Sequence, residues 1–184
     1  YCRGNTERIR NNGLGKVIDL NQKFNHDPGG FSLFLHFWLK ISQDLKWIRI
    51  LPLLFFLASV VTVFFIIKAL FKDKLLSFIC ALIPFLFDTL LYFSTEIRAY
   101  SMECLCSSAA VLAICHVHQQ KCLSKILLSS IILCILMTSR YSAMITCALS
   151  ILVITTSWLR PVRPSSLLRV SAMILPFILL AVII

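Results

Sequence analysis

No charged residue occurs between Arg49 and Lys68. The intervening run, Ile50–Ile67, is almost entirely Leu, Ile, Val and Phe. A helix that crosses hydrocarbon needs about 20 mostly apolar residues, so this run reads as a first spanning helix. Pro52 falls in its first turn, where a proline costs little. The pattern then repeats. Leu75–Leu91, Met102–His118, Ile126–Thr138 and Ser142–Leu159 are apolar runs, and another starts at Val170. A water-soluble domain is about 45–50% apolar, whereas this chain is 59% hydrophobic with a mean hydropathy of +0.88. The expected fold class is all-α: a polytopic transmembrane helical bundle with an interfacial juxtamembrane helix. The expected organisation is an outer loop over 1–49, with the juxtamembrane helix at about 31–41, and a transmembrane region over 50–184. That region holds about six spans, the last truncated at Ile184. A chain beginning at Tyr1 and ending within an apolar run reads as part of a longer protein.

Basic residues set the expected orientation. The connectors at 68–74, 119–125 and 160–169 carry Lys68, Lys72, Lys74, Lys121, Lys125, Arg160, Arg163 and Arg169 against the single acid Asp73. Those on the opposite side carry only Arg98 and Arg140. Cytoplasmic loops are enriched in Lys and Arg. The first set is therefore expected inside, and residues 1–49, the Tyr92–Ser101 connector and Arg140-Tyr141 outside. The localisation expected is the plasma (inner) membrane, multi-pass.

The N-terminal segment is mixed and polar. Gly15–Phe24 could form a short amphipathic helix with Val17, Leu20 and Phe24 on one side. Asn25 to Gly30 is a turn-forming cluster. Phe31–Ile41 is apolar but about half the ~20 residues a span needs. It is expected to lie along the interface, with His36, Trp38 and Lys40 at headgroup level. A basic linker, Lys46 to Arg49, follows. Pro84 is expected to kink the second span, and Asp88 lies near its far end.

Candidate functional residues cluster between the second and third runs. Tyr92-Phe-Ser-Thr-Glu-Ile-Arg-Ala-Tyr-Ser101 places an acid and a base between two apolar runs, with tyrosines on both sides. Charges at such a site are costly unless they pair, face water or bind something. The plainer reading is an interfacial aromatic belt with one ion pair. The functional reading gives Arg98 and Arg140 to an anionic lipid headgroup or a lipid-linked phosphate, which suits a guanidinium fork.

Other chemistries find less support. A net charge of +10 would fit nucleic acid in a soluble protein. Here the basic residues flank apolar runs and no nucleic-acid-binding motif is present, so topology and membrane lipids account for them. Cys2, Cys80, Cys104, Cys106, Cys115, Cys122, Cys134 and Cys147 form no CxxC pair. They read as small apolar packing residues, not a disulfide framework or a zinc site. His26, His36, His116 and His118 lack ligand spacing, so no metal is expected.

Four stretches in register resemble a known family. They are Asp27-Pro-Gly-Gly-Phe-Ser-Leu-Phe-Leu-His-Phe-Trp-Leu-Lys-Ile41, Arg49-Ile-Leu-Pro52, Phe71-Lys-Asp-Lys74 and the Tyr92–Ser101 connector. They are similar to the "LYYLLLHFWLKLFG", "RLPS" and "YSQEARAYSL" patterns of the dolichyl-phosphate-mannose–protein mannosyltransferase-like (family 39-like, C-type superfamily) membrane glycosyltransferases. That group includes bacterial lipopolysaccharide sugar transferases. The resemblance covers roughly residues 13–145.

The resemblance implies a cell-envelope enzyme without a cofactor. It would move a hexose such as mannose from a polyprenyl-phosphate donor to a lipid, glycan or protein acceptor on the extracytoplasmic face. Such chemistry needs a carboxylate base and cations for the leaving phosphate. The family's key acid follows its first spanning helix, so here it is expected upstream of Tyr1, and neither Glu7 nor Asp19 takes its role. Asp27 and Pro28 match the family's turn, although its second proline is Gly29 here. Glu96, Arg98 and Tyr100 match the connector, and Arg140 with Tyr141 joins them from the outer-face placement. Arg98 either contacts donor phosphate, directly or through Glu96, or pairs with Glu96 to hold the site's shape. The alternatives to an enzyme are a transporter subunit and a non-catalytic membrane scaffold fragment. A transporter should show ionisable residues at mid-membrane and related broken helices. Here the polar residues sit at the ends of runs, and Pro84 with Asp88 is the only hint of a break.

Overall fold

The structure, a computed structural model, describes residues 13, 15–17, 29–117, 123–158 and 169–177, excepting the side chains of 116, 117, 157 and 158. Among the described residues all regular structure is helical. The elements are α1 (Gly30–Leu39), α2 (Leu45–Phe71), α3 (Lys74–Leu82), a 3₁₀ turn (Ile83–Leu86), α4 (Asp88–Thr95), α5 (Tyr100–Val117), α6 (Leu123–Met137) and α7 (Tyr141–Trp158). Residues 169–177 are also helical. Of the expected helix over Gly15–Phe24, residues 15–17 are helical and Val17 is buried; residues 18–24 lie outside the described residues.

Among the described residues, one helix, α2, is long and apolar enough by itself to cross a membrane. The stretch Lys74–Leu86 passes the same test only together with Asp88–Thr95, to which it is bent by 77°. The other apolar helices are shorter over their described side chains: Gly30–Leu39, Tyr100–Cys115, Leu123–Met137 and Tyr141–Thr156.

Helix α2 starts earlier than its apolar run. Asp44 caps it, accepting from the Lys46 N–H at 3.2 Å, and such caps satisfy amides that would otherwise lack a partner. The basic stretch Lys46 to Arg49 is therefore helical and not a linker. Pro52 is inside the helix, not in its first turn, so the Ile48 carbonyl has no amide to accept from four residues on. The far end closes at Lys72, which takes the left-handed conformation (φ 58°) and donates its N–H to Lys68 at 3.0 Å. Asp73 then caps α3, accepting from Leu75 and Leu76 at 2.8 and 3.2 Å.

The expected second span, Leu75–Leu91, is not one helix. Pro84 has no N–H to continue the α pattern, the chain tightens into the 3₁₀ turn, and Phe87 is extended (φ −104°, ψ 108°) before α4 restarts at Asp88.

Helix α5 is the hub, packing against α2, α4, α6 and α7. Its buried face carries Met102, Cys106, Ala110 and Ala113, and the facing stripe of α7 carries Ala143, Cys147, Ser150 and Ile154. Both stripes recur every three or four residues, which keeps them on one helical face. Small side chains there let the two backbones approach closely, as at membrane-helix interfaces. Helix α1 packs on α2 and α6 and buries Phe31, Ser32, Leu35, His36 and Leu39. His36 thus faces the bundle and not a headgroup layer, because it shares the i, i+3, i+4 stripe with Ser32, Leu35 and Leu39. The hairpin between α1 and α2 is closed by Trp38 and Trp47. Their rings stack at 4.6 Å and 7°, and each indole N–H donates to the other residue's carbonyl, at 2.9 and 3.4 Å.

The outer surface is apolar to an extent that water does not favour. Val61, Phe65, Leu70, Phe78, Ile79 and Leu86 are among the many large apolar side chains left exposed. Contiguous exposed apolar surface marks protein or membrane contact.

Candidate functional site

The Tyr92–Ser101 connector is shorter in space than in sequence. Tyr92–Thr95 completes α4 and Tyr100 begins α5, which leaves Glu96 to Ala99 as the joint. That joint is a tight turn, with the Arg98 N–H donating to the Glu96 carbonyl at 2.8 Å. Its side chains alternate. Ile97 and Ala99 go into the core (7% and 8% exposed), while Glu96 and Arg98 stay at the surface. The alternation puts the two charges on one side, and they pair at 3.0 Å, Arg98 Nε to Glu96 Oε1. Ser101 ties the joint down by donating its hydroxyl to the Phe93 carbonyl at 3.1 Å.

Tyr100 connects this pair to a second one. Its ring lies 4.8 Å from that of Phe93, and the Arg140 guanidinium sits over it, 5.0 Å from the centroid. On the other side Arg140 Nη1 reaches Glu103 Oε2 at 3.1 Å. The remaining oxygen, Glu103 Oε1, accepts from the Ser142 hydroxyl. Tyr100 and Glu103 are three residues apart on α5, so they share a face. Arg140 is thereby held between an aromatic face and a carboxylate, a geometry that a planar guanidinium suits. The polar Tyr100 side chain, foremost, and the paired Glu96 charge raise the Arg98 pKa above the ordinary arginine value.

The third element of the site is the start of α1. Gly29 has φ 92°, a conformation open to glycine and closed to proline, whose φ is fixed near about −65°. The second proline that the resemblance would place at this position could not adopt this turn. Gly30 follows, donating its N–H to the Thr138 carbonyl at 3.0 Å. A Cβ on Gly30 would run into the Thr138 hydroxyl, with the Thr138 Cβ and carbonyl oxygen both at 2.7 Å. Helix α1 is therefore seated against the joint between α6 and α7 that also carries Arg140.

The structure thus brings Glu96, Arg98, Tyr100 and Arg140 into one cluster, while Asp27 and Pro28 lie outside the described residues. Tyr141 is exposed and starts α7. Asp88 is the first residue of α4, where its charge complements the helix dipole. Sequence reasoning missed Glu103. Its signal was available, as a lone acid in the first turn of an apolar run, but only the fold gives it Arg140 and Ser142 as partners. Both carboxylates of the cluster are engaged by arginines. They suit positioning of guanidinium groups, not proton abstraction. Among the described residues no group of His, Cys, Asp and Glu could hold a metal ion.

No family model, curated protein or solved structure matches this chain.

Below the cluster, an apolar cleft of about 490 Å³ opens between α7 and the 169–177 helix, lined by Met137, Met144, Ile151, Leu152, Ile174 and Phe177 among others. Met137 and Met144 flank Arg140 on the chain, at three residues before and four after it.

Proposed function

We propose that this chain is part of an integral membrane glycosyltransferase. It moves a hexose from a polyprenyl-phosphate donor to a lipid, glycan or protein acceptor on the extracytoplasmic face. Its helices form a multi-pass bundle, with the polar cluster at the outer ends of α5 and α7. The single observation that carries the reading is the vertical order of the site. A cluster with two arginines, held by Tyr100, Glu96 and Glu103, lies at one end of α7, and an apolar cleft begins within about one turn of it. That order suits an amphiphile with an anionic head and an aliphatic tail. The exposed apolar belt on α2 and α3 supports lipid contact. The stretches that resemble the mannosyltransferase-like group suggest the reaction class.

In this reading Arg140 and Arg98 face the phosphate, whose negative charge grows as the sugar leaves. Glu103 and Tyr100 hold Arg140, and Glu96 holds Arg98. The base that deprotonates the acceptor is not among the described residues. The test is transfer of labelled sugar from polyprenyl phosphate by the full-length protein in lipid. Arg140→Ala should abolish transfer while leaving membrane insertion unchanged. Normal turnover in that variant would remove Arg140 from the site.

One observation favours a second reading, a transporter subunit. The 77° break between Leu86 and Asp88 resembles the discontinuous helices that line transport sites, with an acid at the break. Uptake of a solute into sealed vesicles without sugar transfer would select that reading.

A further inference from the structure

We propose that Cys106 of α5 and Cys147 of α7 form a disulfide site that locks these two helices together. The sulfur atoms are 3.4 Å apart, and both residues are 0% exposed and are free thiols in this structure. A disulfide bond is about 2.04 Å long, so the sulfurs need to close by roughly 1.4 Å. The neighbours permit that. Ala110 on α5 and Ala143 on α7 are one turn from the two cysteines and leave the backbones room to approach. Each cysteine lies six residues past the start of its helix, at Tyr100 and Tyr141, about 9 Å down the axis at 1.5 Å per residue. The two thiols are thus level with each other, below the Glu103–Arg140 contact.

Other described cysteines lack this arrangement. Cys104 is exposed, and Cys134 directs its sulfur to the Pro176 carbonyl at 3.4 Å. Sequence alone gave no pointer, because the pair is 41 residues apart and matches no spacing motif.

Closing the bond removes one proton and one electron from each thiol. A lipid-soluble two-electron acceptor, of the quinone class, takes up both electrons and both protons and leaves as the quinol. The product is one covalent link between α5 and α7, and the polar cluster above it can no longer open by separation of these helices. This inference goes beyond the transferase reading and does not depend on it.

The test uses the unmodified full chain in its membrane, treated with a short-chain quinone or with diamide. Denaturation, alkylation of the remaining thiols and tryptic digestion follow. Lys121 and Lys125 lie between the two cysteines, so cleavage there separates them unless they are bonded. The expected result is a Cys106–Cys147 peptide pair lighter by two hydrogens, released by dithiothreitol and absent from Cys147→Ser. Formation with either oxidant supports the site. Full alkylation of both cysteines after both oxidants would overturn it, as would Cys106 bonded to a different cysteine.

Discussion

Replacing Gly30 with alanine tests whether α1 is seated on the α6–α7 joint. A methyl group at Gly30 would meet the Thr138 hydroxyl and lie 2.7 Å from both the Thr138 Cβ and its carbonyl oxygen. The hydroxyl and Cβ belong to a side chain that can be cut away, but the carbonyl is backbone. It is also the acceptor of the Gly30 N–H at 3.0 Å, so the helix cannot back off without lengthening that bond. Overpacking of this kind costs about 1–3 kcal/mol, and a net backbone hydrogen bond adds about 1 kcal/mol. The expected loss is therefore about 2–4 kcal/mol, read by denaturant unfolding of the purified protein in micelles. Gly30→Ala combined with Thr138→Gly removes the side-chain clashes and leaves the carbonyl, so it should recover only part of that loss. A change in Gly30→Ala of less than about 0.5 kcal/mol, the size of an ordinary surface substitution, would refute the seating of α1 against Thr138.

Four further outcomes follow from individual contacts. Ser139 is 1% exposed and its hydroxyl has no hydrogen-bond partner among the described residues; Ser139→Ala should raise stability by about 1 kcal/mol, and a loss of stability would show the hydroxyl is satisfied. Lys72 closes α2 at φ 58°, so Lys72→Gly should raise the unfolding free energy by about 1 kcal/mol; an unchanged midpoint would count against the left-handed cap. Trp38→Phe keeps a ring against Trp47 but removes the 2.9 Å indole bond, and thermal melts should show a cost of about 1 kcal/mol with a shifted Trp47 emission. Glu103→Gln keeps the shape and removes the charge facing Arg140; under the proposed transferase reading it should slow sugar transfer at unchanged protein level, and an unaltered rate would make the pair purely structural.

The candidate site was half legible. Glu96, Arg98 and Tyr100 stand out because charges and tyrosines between two apolar runs demand an explanation by themselves. Arg140 stands out for the same reason, forty residues on. Their placement on one face was expected from the basic-residue bias, but their contacts were not legible, because these depend on α5 and α7 packing side by side through Cys106, Ala110, Ala143 and Cys147. Glu103 was overlooked because it sits inside an apolar run, where a hydropathy reading averages it away. Pro84 announces a kink in the second run; the structure makes it a full break, because the missing N–H interrupts the α pattern and Phe87 turns extended before α4.

Sequence by itself determined the helical class, the apolar runs and the polar joints between them. These follow from local physics: long apolar runs with few charges favour helices that satisfy their own backbone hydrogen bonds. Asp44 and Asp73 extend the same logic, since each caps the helix that begins beside it. The tertiary structure alone decided which polar residues meet. Arg140 finds Tyr100 and Glu103, Gly30 finds Thr138, and Cys106 finds Cys147. Each of these contacts joins segments far apart along the chain. No local periodicity encodes them, and they exist only where small side chains let two helices come close enough to place the next residues face to face.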